Sequence, residues 1–282
     1  MKRIAIIGTE NSHASAFATL LQGNESFKIT GAFGTDSEAN DRFYEKFAID
    51  CSAPSPDAFV GQVDGVMVTS RKGSTHFESV LPYLTSGMTV FIDKPITVSV
   101  NEAMKLVELS EKNGVKLCGG SCLKYAEPLL RMRRSVGTTD ETVSSASFRA
   151  PLDIESPHDG FFFYAQHLVE MCLTVFGNRV KSVYAIRNAD KVTAILNYGD
   201  FSATLAFGGN IYTASVTFQN VEKHTTVNNV VKLYANELSY FLSLLNGGKM
   251  KYSCSDVVYP VIILNAIYDS FTQKREIEIE RI

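Results

Sequence analysis

Two side chains in this sequence stand out for what they could do to an oxygen atom. Lys94 closes the apolar run Phe91-Ile92-Asp93-Lys94-Pro95-Ile96. An ammonium at the end of a buried strand can hydrogen-bond a reacting oxygen and stabilise the negative charge that develops on it; on the residues alone, a solvated strand cap fits as well. His167 lies in Tyr164-Ala165-Gln166-His167-Leu168-Val169-Glu170. An imidazole titrating near neutrality suits the exchange of a hydroxyl proton, although an apolar helix also accommodates a packing histidine. Tyr164 could add a hydroxyl to the same group, or pack the helix start with Phe161, Phe162 and Phe163. Glu170 shares a helix face with His167. With His158 and Asp159 the pair could be drawn as metal ligands, but nothing in the sequence fixes loop geometry for a metal, and none is expected.

The third chemical feature is the opening turn, Ile4-Ala5-Ile6-Ile7-Gly8-Thr9-Glu10-Asn11-Ser12-His13. An apolar run entering a glycine and then a helix begins a doubly wound α/β unit, in which phosphate sits on the helix N-terminus. Of the three glycines of a dinucleotide fingerprint only Gly8 is present; Glu10 stands at the second position and His13 at the third. The turn, with Thr9, Asn11 and the Ser12 hydroxyl, could still hold a phosphate, and His13 could contact phosphate or substrate. A glutamate facing a pyrophosphate is unfavourable unless it points away. The acid that ordinarily takes the ribose hydroxyls at the end of the second strand is missing: Gly34 holds its position, with Asp36 two residues on. Asp36 either reaches the ribose from the loop or caps the following helix. With no arginine nearby for a 2'-phosphate, NAD is preferred to NADP.

The apolar pattern supplies a scaffold for these groups. Continuous apolar runs at Lys2–Ile7, Phe27–Phe33, Val63–Val68, Thr89–Ile92 and Val115–Cys118 read as strands buried on both faces. Helical patterns at Ser15–Leu21, Glu38–Phe47, Phe77–Thr85 and Asn101–Asn113 separate them, with Asn101 as N-cap and Gly114 as stop. Such β-α repetition forces parallel pairing, and it puts Thr69, Ser70 and Lys94 on the carboxyl edge, where ligands lie. Beyond residue 122 the pattern changes. Helices at Glu127–Arg134 and Phe161–Phe176, a strand at Thr142–Phe148 and a meander at Val180–Arg187, Val192–Tyr198, Ser202–Ala206 and Ala214–Gln219 precede helices at Ala235–Leu245 and Ser255–Thr272. The expected architecture is α/β: an N-terminal Rossmann domain with a doubly wound parallel sheet (1–122), then an α+β domain with a largely antiparallel, open-faced sheet (123–282).

Composition narrows the partners. The 282 residues are 45% hydrophobic and 20% charged, enough for two packed cores, and a net charge of −3 offers no field for nucleic acid or an anionic membrane. Five widely spread cysteines (Cys51, Cys118, Cys122, Cys172, Cys254) form no CxxC pair, which suits reduced thiols and a cytoplasmic location. The basic residues before the first short apolar run belong to a strand rather than a signal peptide, and no run approaches the roughly 18 apolar residues of a membrane span.

The order of motifs resembles that of the Gfo/Idh/MocA oxidoreductases, the family of glucose-fructose oxidoreductase and inositol dehydrogenase. Asp93-Lys94-Pro95 is similar to the family's Glu-Lys-Pro segment. Val63 to Ser70 with His76 resembles its fourth strand and nicotinamide-side loop, and Lys124-Tyr125 with Pro128 its entry to the second domain. Tyr164 to Glu170 resembles its catalytic helix, and Tyr234-Glu237-Leu238-Phe241 its late helix. The resemblance implies a hydride transfer at a CH-OH/C=O centre of a sugar, polyol or cyclitol-like substrate, with NAD or NADP. It implies Lys94, His167 and Tyr164 as catalytic residues. As cofactor contacts it implies Gly8, Thr9, Asn11, Ser12, His13, Asp36, Thr69, Ser70, His76, Asp93 and Lys94. The family usually places an Asp four residues before the histidine; here that residue is Phe163. A ligand-binding or regulatory protein without turnover is therefore the alternative. A homodimer or homotetramer through the second sheet is expected, with Val183, Ala185, Leu196 and Val216 as its apolar face unless these side chains face helices of their own subunit.

Overall fold

The computed structural model describes residues 1–49, 53–138 and 141–280, so Cys51 lies outside the described residues. The elements in chain order are β1 (Lys2–Ile7), α1 (Ser12–Leu21), β2 (Phe27–Phe33), α2 (Ser37–Phe47), β3 (Gly65–Val68), α3 (His76–Thr85), β4 (Thr89–Asp93), α4 (Val100–Lys112) and β5 (Leu117–Gly120). There follow α5 (Glu127–Thr138), β6 (Val143–Ala150), α6 (Phe162–Phe176), β7 (Ser182–Asn188), β8 (Lys191–Asn197), β9 (Ser202–Phe207), β10 (Tyr212–Phe218), β11 (Glu222–Val227), α7 (Leu233–Leu245), α8 (Cys254–Gln273) and β12 (Ile277–Glu278). Two compact units result, one of Met1–Gly120 with Tyr234–Val258, the other of Ser121–Leu233 with Tyr259–Ile282.

In the first unit five parallel strands lie in the order β2-β1-β3-β4-β5. The order reverses between β1 and β3, and at such a switch point the crevice beyond the strands' carboxyl ends receives ligands. The strands are largely apolar because helices cover both faces; Ile4, Ile6, Val66, Met67, Phe91 and Ile92 are all buried. Ser99, rather than Asn101, caps α4, its Oγ accepting from the Glu102 N–H at 3.4 Å.

The first unit runs from Met1 to Gly120 and also takes in Tyr234–Val258. The apolar face of α7 explains this. Phe241 packs edge-on to Phe91 of β4 at 5.9 Å, and a Cβ on Gly65 of β3 would meet the side chains of Phe241 and Leu245. An amphipathic pattern shows that a helix has a buried face without showing which sheet it covers. Truncating the fully buried Phe241 to alanine is expected to destabilise the first unit by about 3–5 kcal/mol, read as a lowered urea midpoint with an unchanged slope.

The second unit holds a seven-stranded sheet in the order β11-β10-β6-β9-β8-β7-β12, antiparallel except for the parallel pair β6 and β9. Val183, Ala185, Leu196 and Val216, expected as a possible subunit face, are instead buried in this unit's own core with Leu168, Cys172, Phe176, Ile263 and Ile267 of α6 and α8. Strand side chains alternate between the two faces, so every second residue of these strands meets the helices. The opposite face carries Tyr184, Ile186 and Ile195, which are exposed; Tyr184 stands across from Ile195. Strand β11 was not anticipated, because Glu-Lys-His-Thr-Thr-Val is a polar edge strand with almost no apolar alternation. Among the described residues, no helix is long and apolar enough to cross a membrane.

Candidate active-site residues

In the first unit the sequence-selected residues converge where β1, β3 and β4 end. Gly8 has φ +103°, and a Cβ there would collide with the main chain of Thr69 and Ser70, so only glycine lets the opening turn seat against the loop after β3. Thr69 is buried and acts as a strut: its hydroxyl is shared between the carbonyls of Ile7 and Gly8 at 3.1 and 3.2 Å. Asn11 is the N-cap of α1, its Oδ1 accepting from the His13 N–H at 3.1 Å. Its Nδ2 donates to the Thr69 carbonyl at 2.7 Å and approaches Asp93 Oδ2 at 3.4 Å.

His13 pairs with protein groups at both ring nitrogens. Nδ1 donates to Asp93 Oδ2 at 2.6 Å, and Nε2 lies 2.8 Å from the Tyr234 hydroxyl. Asp93, His13 and Tyr234 thus form a chain of hydrogen bonds across three elements of the first unit, a set the sequence did not join because Tyr234 is 221 residues from His13. Burial of Asp93 would raise its pKa, but the charge and hydrogen bond of His13, followed by Lys94, outweigh it and hold the carboxyl below its ordinary 3.8. A depressed acid stabilises the fold above its unfolded-state value and loses that stabilisation as pH falls through the folded one. Wild-type stability is therefore expected to fall more steeply below about pH 4 than that of Asp93→Asn, as measured by urea midpoints across the acid range.

Lys94 follows directly and is buried, with a cis peptide to Pro95. His76, also fully buried, spans two loops: Nδ1 is 2.7 Å from the Pro95 carbonyl and Nε2 2.8 Å from that of Ser70. Burial lowers its pKa, against the pull of those carbonyls and of Asp93. His76 thus lies between the loops around Ser70 and Lys94, where its neutral ring can donate to one of the two carbonyls. Asp36 has a similar structural duty: its Oδ1 accepts from the Ala39 N–H at 3.0 Å and caps α2. Ser12 is exposed on the first turn of α1 and Ser70 is part-exposed, so both hydroxyls can be reached from outside.

In the second unit His167 and Glu170 of α6 meet the segment that follows β5. Ser121 Oγ lies 2.6 Å from His167 Nδ1 and also accepts from the Leu123 N–H at 3.2 Å. Glu170 Oε1 accepts from the Ser121 N–H at 2.8 Å and from Gln166 Nε2 at 2.5 Å, while Lys124 Nζ pairs with Oε2 at 3.2 Å. All five of these side chains are buried. Glu170 is thus held by an ion pair and two hydrogen bonds; among the described residues no group of three His, Cys, Asp or Glu side chains is arranged to hold a metal. Phe163 packs on His158 and Tyr164, with ring centroids 5.2 and 4.9 Å away. Tyr164 is part-buried, its ring 6.0 Å from that of His167. Ser121 escaped the sequence reading because a serine after a glycine pair carries no pattern; only the fold sets it on the imidazole.

The first unit fits a dinucleotide. The N-terminus of α1 offers main-chain donors and the Ser12 hydroxyl to a pyrophosphate. The Glu10 side chain, the apparent obstacle, is turned toward Gly34 at the end of β2, and its Oε2 lies 2.9 Å from where a Cβ at residue 34 would stand.

A parallel sheet with its switch point at β1 and β3, joined to a mixed sheet covered by helices, defines an α/β protein of the dinucleotide-binding class. Residues 2–121 match the model of the Gfo/Idh/MocA oxidoreductase family, NAD-binding Rossmann fold. The chain is 25% identical over 188 residues to YceM of Salmonella typhimurium, covering 64% of this chain and 58% of that protein. It is 29% identical over 127 residues to a UDP-N-acetylglucosamine 3-dehydrogenase of Acidithiobacillus ferrooxidans, covering 44% of this chain and 37% of the relative. The match thus spans less than two thirds of either relative's length. Among solved structures, GenD2 from gentamicin A biosynthesis in complex with NAD shares the fold at a TM-score of 0.88 and 16% identity, over 99% of this chain and 97% of its own. Scyllo-inositol dehydrogenase from Lactobacillus casei, with bound NAD(H) and scyllo-inositol, has a TM-score of 0.84 at 14% identity, over 99% of each chain.

Proposed function

We propose that this protein is an NAD-dependent dehydrogenase or reductase acting at a CH-OH/C=O centre of a sugar, polyol or cyclitol-like molecule. The observation that carries the reading is Lys94, buried at the carboxyl end of β4 beside His76, whose ring faces the Pro95 carbonyl, within a stretch that matches the model of an oxidoreductase family. The nicotinamide cofactor supplies or takes the hydride when bound. Lys94 donates a hydrogen bond to the reacting oxygen and stabilises the alkoxide character it acquires. His167 exchanges the hydroxyl proton through Nε2, which requires that Nδ1 carry the ring proton and donate it to Ser121 Oγ. Ser121 thus orients the imidazole in a chain that has Phe163 where an acid was expected. Tyr164, beside His167 on α6, contributes a hydroxyl to substrate binding.

Self-association through the outer face of the second sheet, where Tyr184, Ile186 and Ile195 are exposed, belongs to the same proposal and is read by light scattering. The central test is titration of the purified protein with NADH and NADPH by fluorescence, followed by a panel of sugars, polyols and inositols with the nucleotide that binds. Binding together with turnover supports the proposal. Binding without turnover on any member of the panel would favour a regulatory protein on this scaffold, and no binding at millimolar nucleotide would sink the cofactor assignment.

A further inference from the structure

The end of β2 lacks the acid that ordinarily meets the ribose of a dinucleotide, and the structure puts another one in its place. Gly34 has no side chain, and the three atoms nearest to a Cβ built there are all oxygens, from Thr9, Asn40 and Glu10. Asn40 is fixed: its Nδ2 donates to the Gly34 carbonyl at 2.8 Å, and its Oδ1 accepts from the buried Thr9 hydroxyl. Glu10 is different. Its Oε2 is buried with no hydrogen-bond partner among the described residues, although the residue as a whole is only part-buried. That oxygen lies 2.9 Å from the Cβ position of residue 34, where the carboxylate of an aspartate on β2 would begin. A desolvated carboxylate oxygen without a donor is costly, and it is unusual enough to call for a reason.

We infer that Glu10 supplies, from the first turn, the ribose-binding carboxylate that β2 does not, and that it makes the protein selective for NAD(H) over NADP(H). The inference rests on the dinucleotide-binding reading above. The adenosine ribose of NAD(H) presents two hydroxyl donors, which this corner of acceptors lacks; the part-exposed Glu10 side chain can turn from Gly34 to meet them. A 2'-phosphate would bring further negative charge and no donors to the same corner. Arg42 on α2 is exposed and paired with Glu38 at 3.4 Å, and the described ion pairs place no cation against Glu10. Glycine at 34 is then a requirement of the arrangement, because a side chain there would displace Thr9, Asn40 and Glu10 together.

The test is binding of NADH and NADPH, each followed by fluorescence titration, to the wild-type protein and to Glu10→Gln, Glu10→Ala and Glu10→Asp. The wild type is expected to prefer NADH. In Glu10→Gln and Glu10→Ala the ratio of the two dissociation constants should shrink by about ten- to a hundredfold, through weaker NADH and stronger NADPH binding, whereas Glu10→Asp keeps the preference. Circular dichroism and urea midpoints identify any variant that has lost its fold. A ratio unchanged in both neutral variants, or a wild type that prefers NADPH, overturns the inference while leaving dinucleotide binding intact. If the wild type binds neither nucleotide, the functional reading falls and takes this one with it.

Discussion

Replacing Lys94 with methionine is expected to lower kcat by about 10²–10³-fold, measured on the sugar, polyol or inositol that the substrate panel identifies. The expectation follows from when the interaction forms. A hydrogen bond to an oxygen that gains charge during hydride transfer is worth most in the transition state, so its loss falls on kcat rather than on ground-state binding. Methionine keeps the unbranched shape of a buried lysine and avoids a cavity. Asp93 keeps its bond to His13 at 2.6 Å in the variant, so the neighbouring charge is not left without a partner. Arginine should rescue poorly, because a planar fork does not reproduce a compact ammonium. A Lys94→Met protein with wild-type kcat would remove Lys94 from the chemistry.

The second large effect is expected at His167. Substitution with asparagine should lower kcat by about 10²–10⁴-fold, and it should also flatten the pH profile. With the imidazole in place, alcohol oxidation needs the unprotonated ring and declines as pH falls below its pKa; carbonyl reduction needs the protonated ring and declines as pH rises above it. Ser121→Ala separates positioning from chemistry. In the proposed arrangement the serine oxygen, 2.6 Å from Nδ1, accepts a proton that the imidazolium also carries, so its loss disfavours the charged ring and moves the acidic limb of oxidation to lower pH. Ser121→Thr, which retains the hydroxyl, should restore the limb. A histidine that merely packs α6 would change stability in both variants and leave the position of the limb alone.

Much of this was legible in the chain because the responsible forces are local. Unbroken apolar strands alternating with amphipathic helices define a parallel sheet wherever they occur, and Gly8, Thr69, Asp93 and Lys94 fall at strand ends by counting alone. The apolar alternation of β7 to β10 announced a sheet with one covered face, and Asp36 had the composition of the helix cap it proves to be. Type alone carries no direction: a histidine after a strand looks like a ligand contact, and only the fold shows that the His76 ring nitrogens face the carbonyls of Pro95 and Ser70.

The sequence by itself therefore determined the two kinds of sheet, the edge at which chemistry must lie and the residue types available there. Tertiary structure decided which of those residues have hands free. Hydrogen-bond partners far apart in the chain are invisible to periodicity: Tyr234 on His13, Ser121 on His167 and Lys124 on Glu170 each join segments brought together only by packing. The same holds for the helix after Leu233, whose apolar face could have covered either sheet and is drawn to β3 and β4 by the room that Gly65 leaves for Phe241 and Leu245. Glu10 marks the difference most plainly. In the sequence it is a charge where a phosphate needs none; in the fold its carboxylate turns to the empty side of Gly34, a direction that no local pattern encodes.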